Sequence, residues 1–212
     1  MGNSVTPEVL SDMIRRYFSQ VRTEEETIRA LNHLRRVLHE LSPFAQEPVD
    51  CVLWVKADEI VANDYNPNVM APSEKKLLKQ SLEKDGFTQP VVVSEEKNHY
   101  LIVDGFHRQL LGRGGSTGKR LKGWLPVACI NPERKGQATL MAVTIRHNRA
   151  RGKHQVTSMS DIVRDLSRLG WTDERIGTEL GMDPDEVLRL KQISGLTELF
   201  QEEGFSPAWT VR

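Results

Sequence analysis

The chain is poor in cysteine, has no long apolar run and carries no excess of either charge, and each absence narrows its character. The two cysteines, Cys51 and Cys129, have neither Cys-x-x-Cys spacing nor a histidine at ligand distance in sequence. They read as buried small side chains in a reducing compartment, and the cytoplasm is the expected location. No apolar stretch approaches ~20 residues, and the start shows no cationic flank leading into an apolar run, so neither membrane span nor signal peptide is expected. Lysine plus arginine equals aspartate plus glutamate, 29 each, so no global field pulls the molecule toward nucleic acid or an anionic membrane. Any basic surface must be local. Internal repeats and low-complexity tails are absent. What is left is an ordinary soluble composition over 212 residues, enough for one large or two small domains with real cores.

The stretch Tyr100-Leu101-Ile102-Val103-Asp104-Gly105-Phe106-His107-Arg108-Gln109-Leu110-Leu111 organises the rest. Residues suited to a buried strand run into an Asp-Gly corner, after which Phe106, Leu110 and Leu111 fall on one side of a helix. A helix entered through glycine offers unpaired N–H groups and a partial positive charge, which suit an anion such as phosphate. Arg108 lies in that first turn, where a guanidinium can fork onto phosphate oxygens, and His107 is a second donor. The same pattern also fits a plain strand-turn-helix whose arginine simply faces solvent.

Upstream, Thr6-Pro7-Glu8 predicts a helix start, followed by Val9, Leu10, Met13, Ile14, Tyr17 and Phe18 at helical spacing. A second helix is predicted from about Thr23, with Ile28, Leu31, Leu34, Leu38 and Leu41 as its stripe. Two such helices form a hairpin that must bury its stripes on the rest of this chain, the expected outcome, or on a second copy. Strands are predicted at 51–55, 91–93, 100–103 and 125–130, a turn-rich loop at 63–68, and helices from Ser73 to Leu82 and over 133–148.

Between Gly105 and Gly123 stand Arg108, Arg113, Lys119, Arg120 and Lys122 without an acid. The glycines at 112, 114, 115 and 118 invite comparison with a Walker A loop. The first glycine that motif needs would fall at Arg113, and Arg120 follows Lys119 where a hydroxyl is required, so a mobile basic loop is expected instead. A second cationic run covers 146–154, readable either as a solvated linker at a helix C-terminus or as a phosphate clamp facing the first. Three short helices are then predicted at 161–169, 172–180 and 183 to about 193, with Thr172 and Asp183 as caps, in the cadence of a helix-turn-helix. The second helix of such a motif normally enters the major groove, but here it begins Asp183-Pro184-Asp185-Glu186, and three carboxylates repel phosphate. Direct DNA reading by this helix is therefore not expected.

In order, Ala62-Asn63-Asp64-Tyr65-Asn66-Pro67-Asn68, Asp85-Gly86-Phe87-Thr88-Gln89-Pro90-Val91-Val92, Val103-Asp104-Gly105-Phe106-His107-Arg108 and Asn148-Arg149-Ala150-Arg151-Gly152 make the chain resemble the ParB/sulfiredoxin superfamily, nearest the IbrB-like group of co-activators of prophage gene expression. The resemblance covers about residues 50 to 155. It implies a nucleotide site: Gly105, His107, Arg108, Asn148 and Arg151 on the phosphates, Gly86 and Gln89 near the base. Phe106 stands where sulfiredoxins carry their catalytic cysteine, which excludes that thiol chemistry here. Asp104 stands where ParB usually has no carboxylate, as in ParB-like free serine kinases, and such a carboxylate can hold magnesium, take a proton or merely cap the helix. Glu59 is the other acid at a position where those kinases place a catalytic carboxylate.

The expectation is an α+β protein: an N-terminal helical hairpin at 1–46, a ParB/sulfiredoxin-like nucleotide-binding domain with a mixed sheet at 47–155, and a helix-turn-helix-like domain at 156–212. Its expected function is a nucleotide-binding regulator acting on DNA or gene expression as a transcriptional co-activator, with CTP or ATP and Mg2+ as cofactors. The alternative is an NTPase or small-molecule phosphotransferase using Asp104 and Glu59, with Asp104 on the metal. A nuclease ranks third, because no acidic cluster would place two metals. DNA, a protein partner and a second copy are the other candidate partners, and a membrane is not.

Overall fold

Two helices open the computed structural model, which describes residues 5–63, 70–133, 136–149 and 156–201. Helix α1 (Pro7–Gln20) starts because the Thr6 hydroxyl accepts the Val9 N–H and proline fits the first turn. Helix α2 (Glu24–Glu40) starts at a reciprocal box: Thr23 accepts the Glu26 N–H at 3.2 Å, and the Glu26 carboxylate accepts the Thr23 N–H at 3.3 Å.

Among the described residues the sheet has five strands, β1 (Val52–Lys56), β2 (Ile60–Val61), β3 (Val91–Glu95), β4 (Tyr100–Asp104) and β5 (Trp124–Cys129), in the order β1-β5-β3-β4-β2. It is mixed: β1–β5 and β3–β4 are antiparallel, while β5–β3 and β4–β2 are parallel. Leu53, Val55, Val91, Val93, Ile102, Leu125 and Val127 make its main core. Phe87, Phe106 from α4 (Phe106–Gly112) and Leu121 from α5 (Gly115–Leu121) pack on that core. Near β4, Val103 packs instead with Leu140 and Val143 of α6 (Gln137–Arg149).

Helix α6 also builds the second core. Met141, Ala142 and Ile145 pack with Met159, Ile162, Val163 and Leu166 of α7 (Val156–Arg168), with Ile176 and Leu180 of α8 (Asp173–Leu180), and with Val187 and Leu190 of α9 (Pro184–Gln201). One helix thus serves two cores, and the Arg146 guanidinium ties it further to the Glu179 carboxylate. The α+β class expected from the sequence is the observed one.

Three details differ from expectation. The glycine-rich stretch expected as a mobile loop folds as α5: Thr117 is buried, and the Arg120 guanidinium donates to the carbonyls of Leu82 (2.7 Å) and Glu83 (3.1 Å), which close α3 (Pro72–Lys84). A Cβ at Gly118 would stand 2.4 Å from the Arg113 carbonyl oxygen, so glycine serves close packing rather than mobility. Strand β2 was too short to show any period. Finally, α2 docks by a polar contact at the free edge of β1, where the Asn32 amide accepts the Trp54 N–H (3.0 Å) and donates to the Trp54 carbonyl (2.6 Å). The apolar stripe expected to be buried stays largely open, with Leu38 and Leu41 exposed.

Both cysteines are partly buried, and burial pushes the Cys51 thiol up and the Cys129 thiol up to about 12. Among the described residues, no helix is long and apolar enough to cross a membrane.

Candidate functional site

Strand β4 delivers Asp104 to a corner that only glycine turns easily: Gly105 has φ +91°, in the left-handed region, and α4 begins at the next residue. The Arg108 side chain folds back over this corner. It donates to the Asp104 carboxylate at 3.0 Å and to the Gln89 side-chain carbonyl at 2.6 Å. A Cβ on Gly105 would lie 2.8 Å from Arg108 Nη2, so the guanidinium lies against bare backbone. Side-chain exposure is 13% for Arg108 and 6% for Asp104, low enough for the pair to be weakly screened.

Gln89 reaches the corner through a turn at Gly86 (φ +80°), which follows the end of α3 at Asp85 and precedes Pro90 and β3. His107 packs edge-on to Phe106 with ring centroids 5.3 Å apart. Burial, then the nearby Lys75 ammonium, holds its pKa below the ordinary histidine value, so the ring is neutral at neutral pH. Since α4 has only seven residues, its macrodipole is small and the guanidinium supplies most of the local positive charge.

Gln89, Asp104, Gly105 and Arg108 therefore meet at one corner from two separate sequence segments, with Gly86 three residues before Gln89 and His107 in the first turn of α4. Asn63 joins the end of a third, donating to the Ile102 carbonyl (2.7 Å) and to the Thr144 hydroxyl (3.4 Å). Thr144 is buried on α6, as its helical spacing with Leu140, Met141 and Val143 indicates, but its link to Asn63 is not legible in the sequence because no short-range pattern joins positions 81 apart. Asn148 lies on α6 one turn beyond Thr144, with its side chain outside the description. Arg151 and the loop residues 64–68 lie outside the described residues.

Glu59 is not brought to the corner. It is exposed, in a short 3-10 turn just before Ile60, and Ile60 pairs with Tyr100 at the opposite end of β4 from Asp104. The strand between Tyr100 and Asp104 is roughly 13 Å long at its usual rise per residue. Among the described residues, no group of three or more histidine, cysteine, aspartate or glutamate side chains could hold a metal ion. Asp104 is engaged by the Arg108 guanidinium. The basic segments are also partly occupied: besides Arg120, Lys122 pairs with Glu24, and Arg146 donates to the Glu179 carboxylate and to its carbonyl at 3.3 Å.

In the C-terminal helices, Thr172 caps α8 by accepting the Arg175 N–H at 3.2 Å, and Gly181 (φ +63°) ends it. Gly177 permits the tight joint, since a Cβ there would lie 2.9 Å from the Met182 carbonyl oxygen. At the start of α9, Asp183, Pro184 and Asp185 are all exposed. The outward charge of that turn is negative, as its sequence indicates.

Fold and site together define an α+β domain with an arginine-covered glycine corner, followed by a helix-turn-helix domain. Residues 154–202 match the family model described as IbrB-like C-terminal HTH domain, the group to which the motifs pointed. Over 214 aligned residues, 100% of both chains, the sequence is 55% identical to "Uncharacterized protein YbdM" of Escherichia coli (strain K12), and the chain belongs to the family of that protein. Solved structures similar to it include C-terminally truncated ParB from Caulobacter crescentus complexed to the centromeric parS site, with TM-score 0.46, 17% identity and coverage of 70% of this chain and 74% of that one. The same ParB complexed with CTP-gamma-S aligns with TM-score 0.39 and 17% identity over 71% and 82% of the two chains. A Pnob8-like ParB-N domain aligns with TM-score 0.47 and 10% identity over 71% and 73%.

Proposed function

We propose that the protein is a nucleotide-binding regulator acting on DNA or gene expression, of the transcriptional co-activator type, with the Gly105 corner as the phosphate site. The observation that carries this reading is the Arg108 guanidinium, steered by Gln89 and Asp104 to lie directly over Gly105. A guanidinium held in place loses little rotamer freedom when an anion arrives. Beside it, the first N–H groups of α4 have no acceptor within their own helix. On this reading CTP or ATP sets its phosphates against Gly105, His107 and Arg108, with Asn148 and Arg151 closing from the end of α6 and Gly86 and Gln89 near the base. Asp104 would be the carboxylate among the described residues to hold a magnesium ion arriving with the triphosphate, whose charge that ion would offset.

The IbrB-like helix-turn-helix match supports the DNA side of the proposal. The exposed acids at the start of α9 turn that helix away from phosphate, so the grip on DNA falls to the basic run after Arg146. An NTPase or phosphotransferase would need Asp104 to take a proton, and a carboxylate 6% exposed and bound by Arg108 serves better to aim that arginine.

Calorimetry with CTP, ATP and ADP on wild type and Arg108→Ala tests the site. Binding by wild type, weakened at least about tenfold in the variant (about 1.4 kcal/mol), is expected. No binding by wild type, or equal binding by both, removes the proposal. A gel shift on duplex DNA at two salt concentrations tests the second half, with steep weakening by salt expected.

A further inference from the structure

We infer that Cys51 and Cys129 are a reversible redox pair, joined on oxidation by a disulfide across β1 and β5 at the joint between the hairpin and the sheet. Antiparallel register sets Val52 against Ala128, Leu53 against Val127 and Val55 against Leu125. Cys51 has extended backbone (φ −127°, ψ 93°), so it continues the line of β1 by one residue and comes opposite Cys129. Side chains alternate along a strand, and Cys51, Leu53 and Val55 pack on the same core as Leu125, Val127 and Cys129. The two thiols therefore stand at facing positions on one side of the sheet, although they are far apart in sequence.

Closure strains the backbone, which makes the bond easy to open again. Trp54 turns its N–H and carbonyl outward to Asn32, so by alternation Leu53, Val55 and, in line with them, Cys51 belong to the pairs that face β5 with their backbone groups. In such pairs the Cα atoms are about 5.5 Å apart, inside the range of about 4.4–6.8 Å that a disulfide spans. Their Cβ atoms, however, are about 5.5 Å apart where the bond wants about 3.5–4.5 Å, so the strand ends must draw together. Cys51 can move, because its N–H donates back to the Pro48 carbonyl of the preceding turn at 3.4 Å. Strained disulfides are the readily reduced ones. Burial raises the Cys51 thiol and Arg36 opposes that rise, whereas burial and then Glu95 push the Cys129 thiol up to about 12. Cys51 is thus the first nucleophile. Its thiolate attacks a small disulfide such as oxidised glutathione and expels one glutathione thiolate. The Cys129 sulfur, giving its proton to that thiolate, then attacks the Cys51 sulfur and expels the second. Two protein thiols are oxidised, one small disulfide becomes two thiols, and the protons lost by the cysteines end on them. Cys129 lines a cleft of about 440 Å³ with His39, Pro48, Ile130 and Asn131, a path for reagent and leaving group.

Equilibration of the full chain with graded mixtures of reduced and oxidised glutathione, followed by acid quenching, intact mass and peptide mapping, tests the inference. The expected product is a single chain lighter by two hydrogens, with one peptide linking Cys51 to Cys129, and it returns to free thiols when the mixture is made reducing. The native chain is expected to close with an effective thiol concentration at least about tenfold above that of the same chain in urea, since strand register and not chance encounter brings the sulfurs together. Cys129→Ser is expected to stop at a glutathione mixed disulfide on Cys51, which the wild type resolves. A wild type that stays reduced, that stops at mixed disulfides, that links two chains, or that closes no more readily folded than in urea would overturn the proposal. The wild-type measurements carry the test by themselves, so a variant that fails to fold does not remove it.

Discussion

Replacing Gly105 by alanine isolates the contact on which the candidate site depends. Two separable costs arise. A non-glycine residue at φ +91° pays about 1–2 kcal/mol for left-handed backbone. The new Cβ would also meet Arg108 Nη2 at 2.8 Å, and the guanidinium can retreat only by loosening its bonds to Gln89 and Asp104. Charge-assisted bonds of this kind are worth about 1.5–3 kcal/mol each, and partial loss brings the total to roughly 2–4 kcal/mol. For a chain of this size, that corresponds to a fall in Tm of about 5–15 °C. Urea unfolding followed by circular dichroism measures it, provided the m-value stays constant.

Gly86→Ala is the control. Gly86 has φ +80° but nothing within 4 Å of a Cβ, so only the backbone cost of about 1–2 kcal/mol applies. Introducing Gly105→Ala into an Arg108→Ala background should reduce its cost to that same figure, a coupling of about 1–2 kcal/mol. If Gly105→Ala costs no more than Gly86→Ala, or costs the same with and without Arg108, the guanidinium does not lie over the corner and the reasoning fails.

Three further outcomes are expected. Asn32→Ala should cost about 1–2 kcal/mol and speed hydrogen exchange of the Trp54 amide selectively, since the Asn32 side chain accepts that N–H. For His107, the folded pKa is depressed and the unfolded chain binds more protons, so stability should fall as pH drops below about 6.5, a slope that His107→Gln abolishes in urea midpoints. A phosphate at the corner would favour the imidazolium, so nucleotide affinity should rise over the same window. Asp50, whose pKa is lowered by its bond to His39 and further by Ser42, lends stability above the ordinary carboxylate value of about 3.9. That contribution is lost as pH falls through the lower folded value, and Asp50→Asn should flatten acid denaturation there.

At the candidate site, the corner could be read from Tyr100 to Leu111 because strand, glycine and helix follow one another within twelve residues. The partner of Arg108 could not. Gln89 stands 19 residues away and meets it only because β3 pairs with β4. Asp104 and Glu59 were both acids to which the resemblance pointed, Glu59 the weaker because surface glutamates are common, and strand register separates them, since parallel pairing of β2 with β4 sets Glu59 near the far end.

The caps at Thr6, Thr23 and Thr172, the glycine corner and the apolar run of β1 were written in neighbouring residues, because hydrogen bonds and side-chain patterns of that range need no other part of the chain, whereas which of the β1 side chains face the core was decided by the sheet. The helix α5, the two-residue β2 and the clasp of Asn32 on Trp54 arose differently. Each is stabilised by groups distant in sequence: carbonyls of α3 for α5, the edge of β4 for β2, and a strand 22 residues on for Asn32. No local pattern specifies such contacts. They come into being only when the sheet order and the packing of α6 between two cores have set the distances.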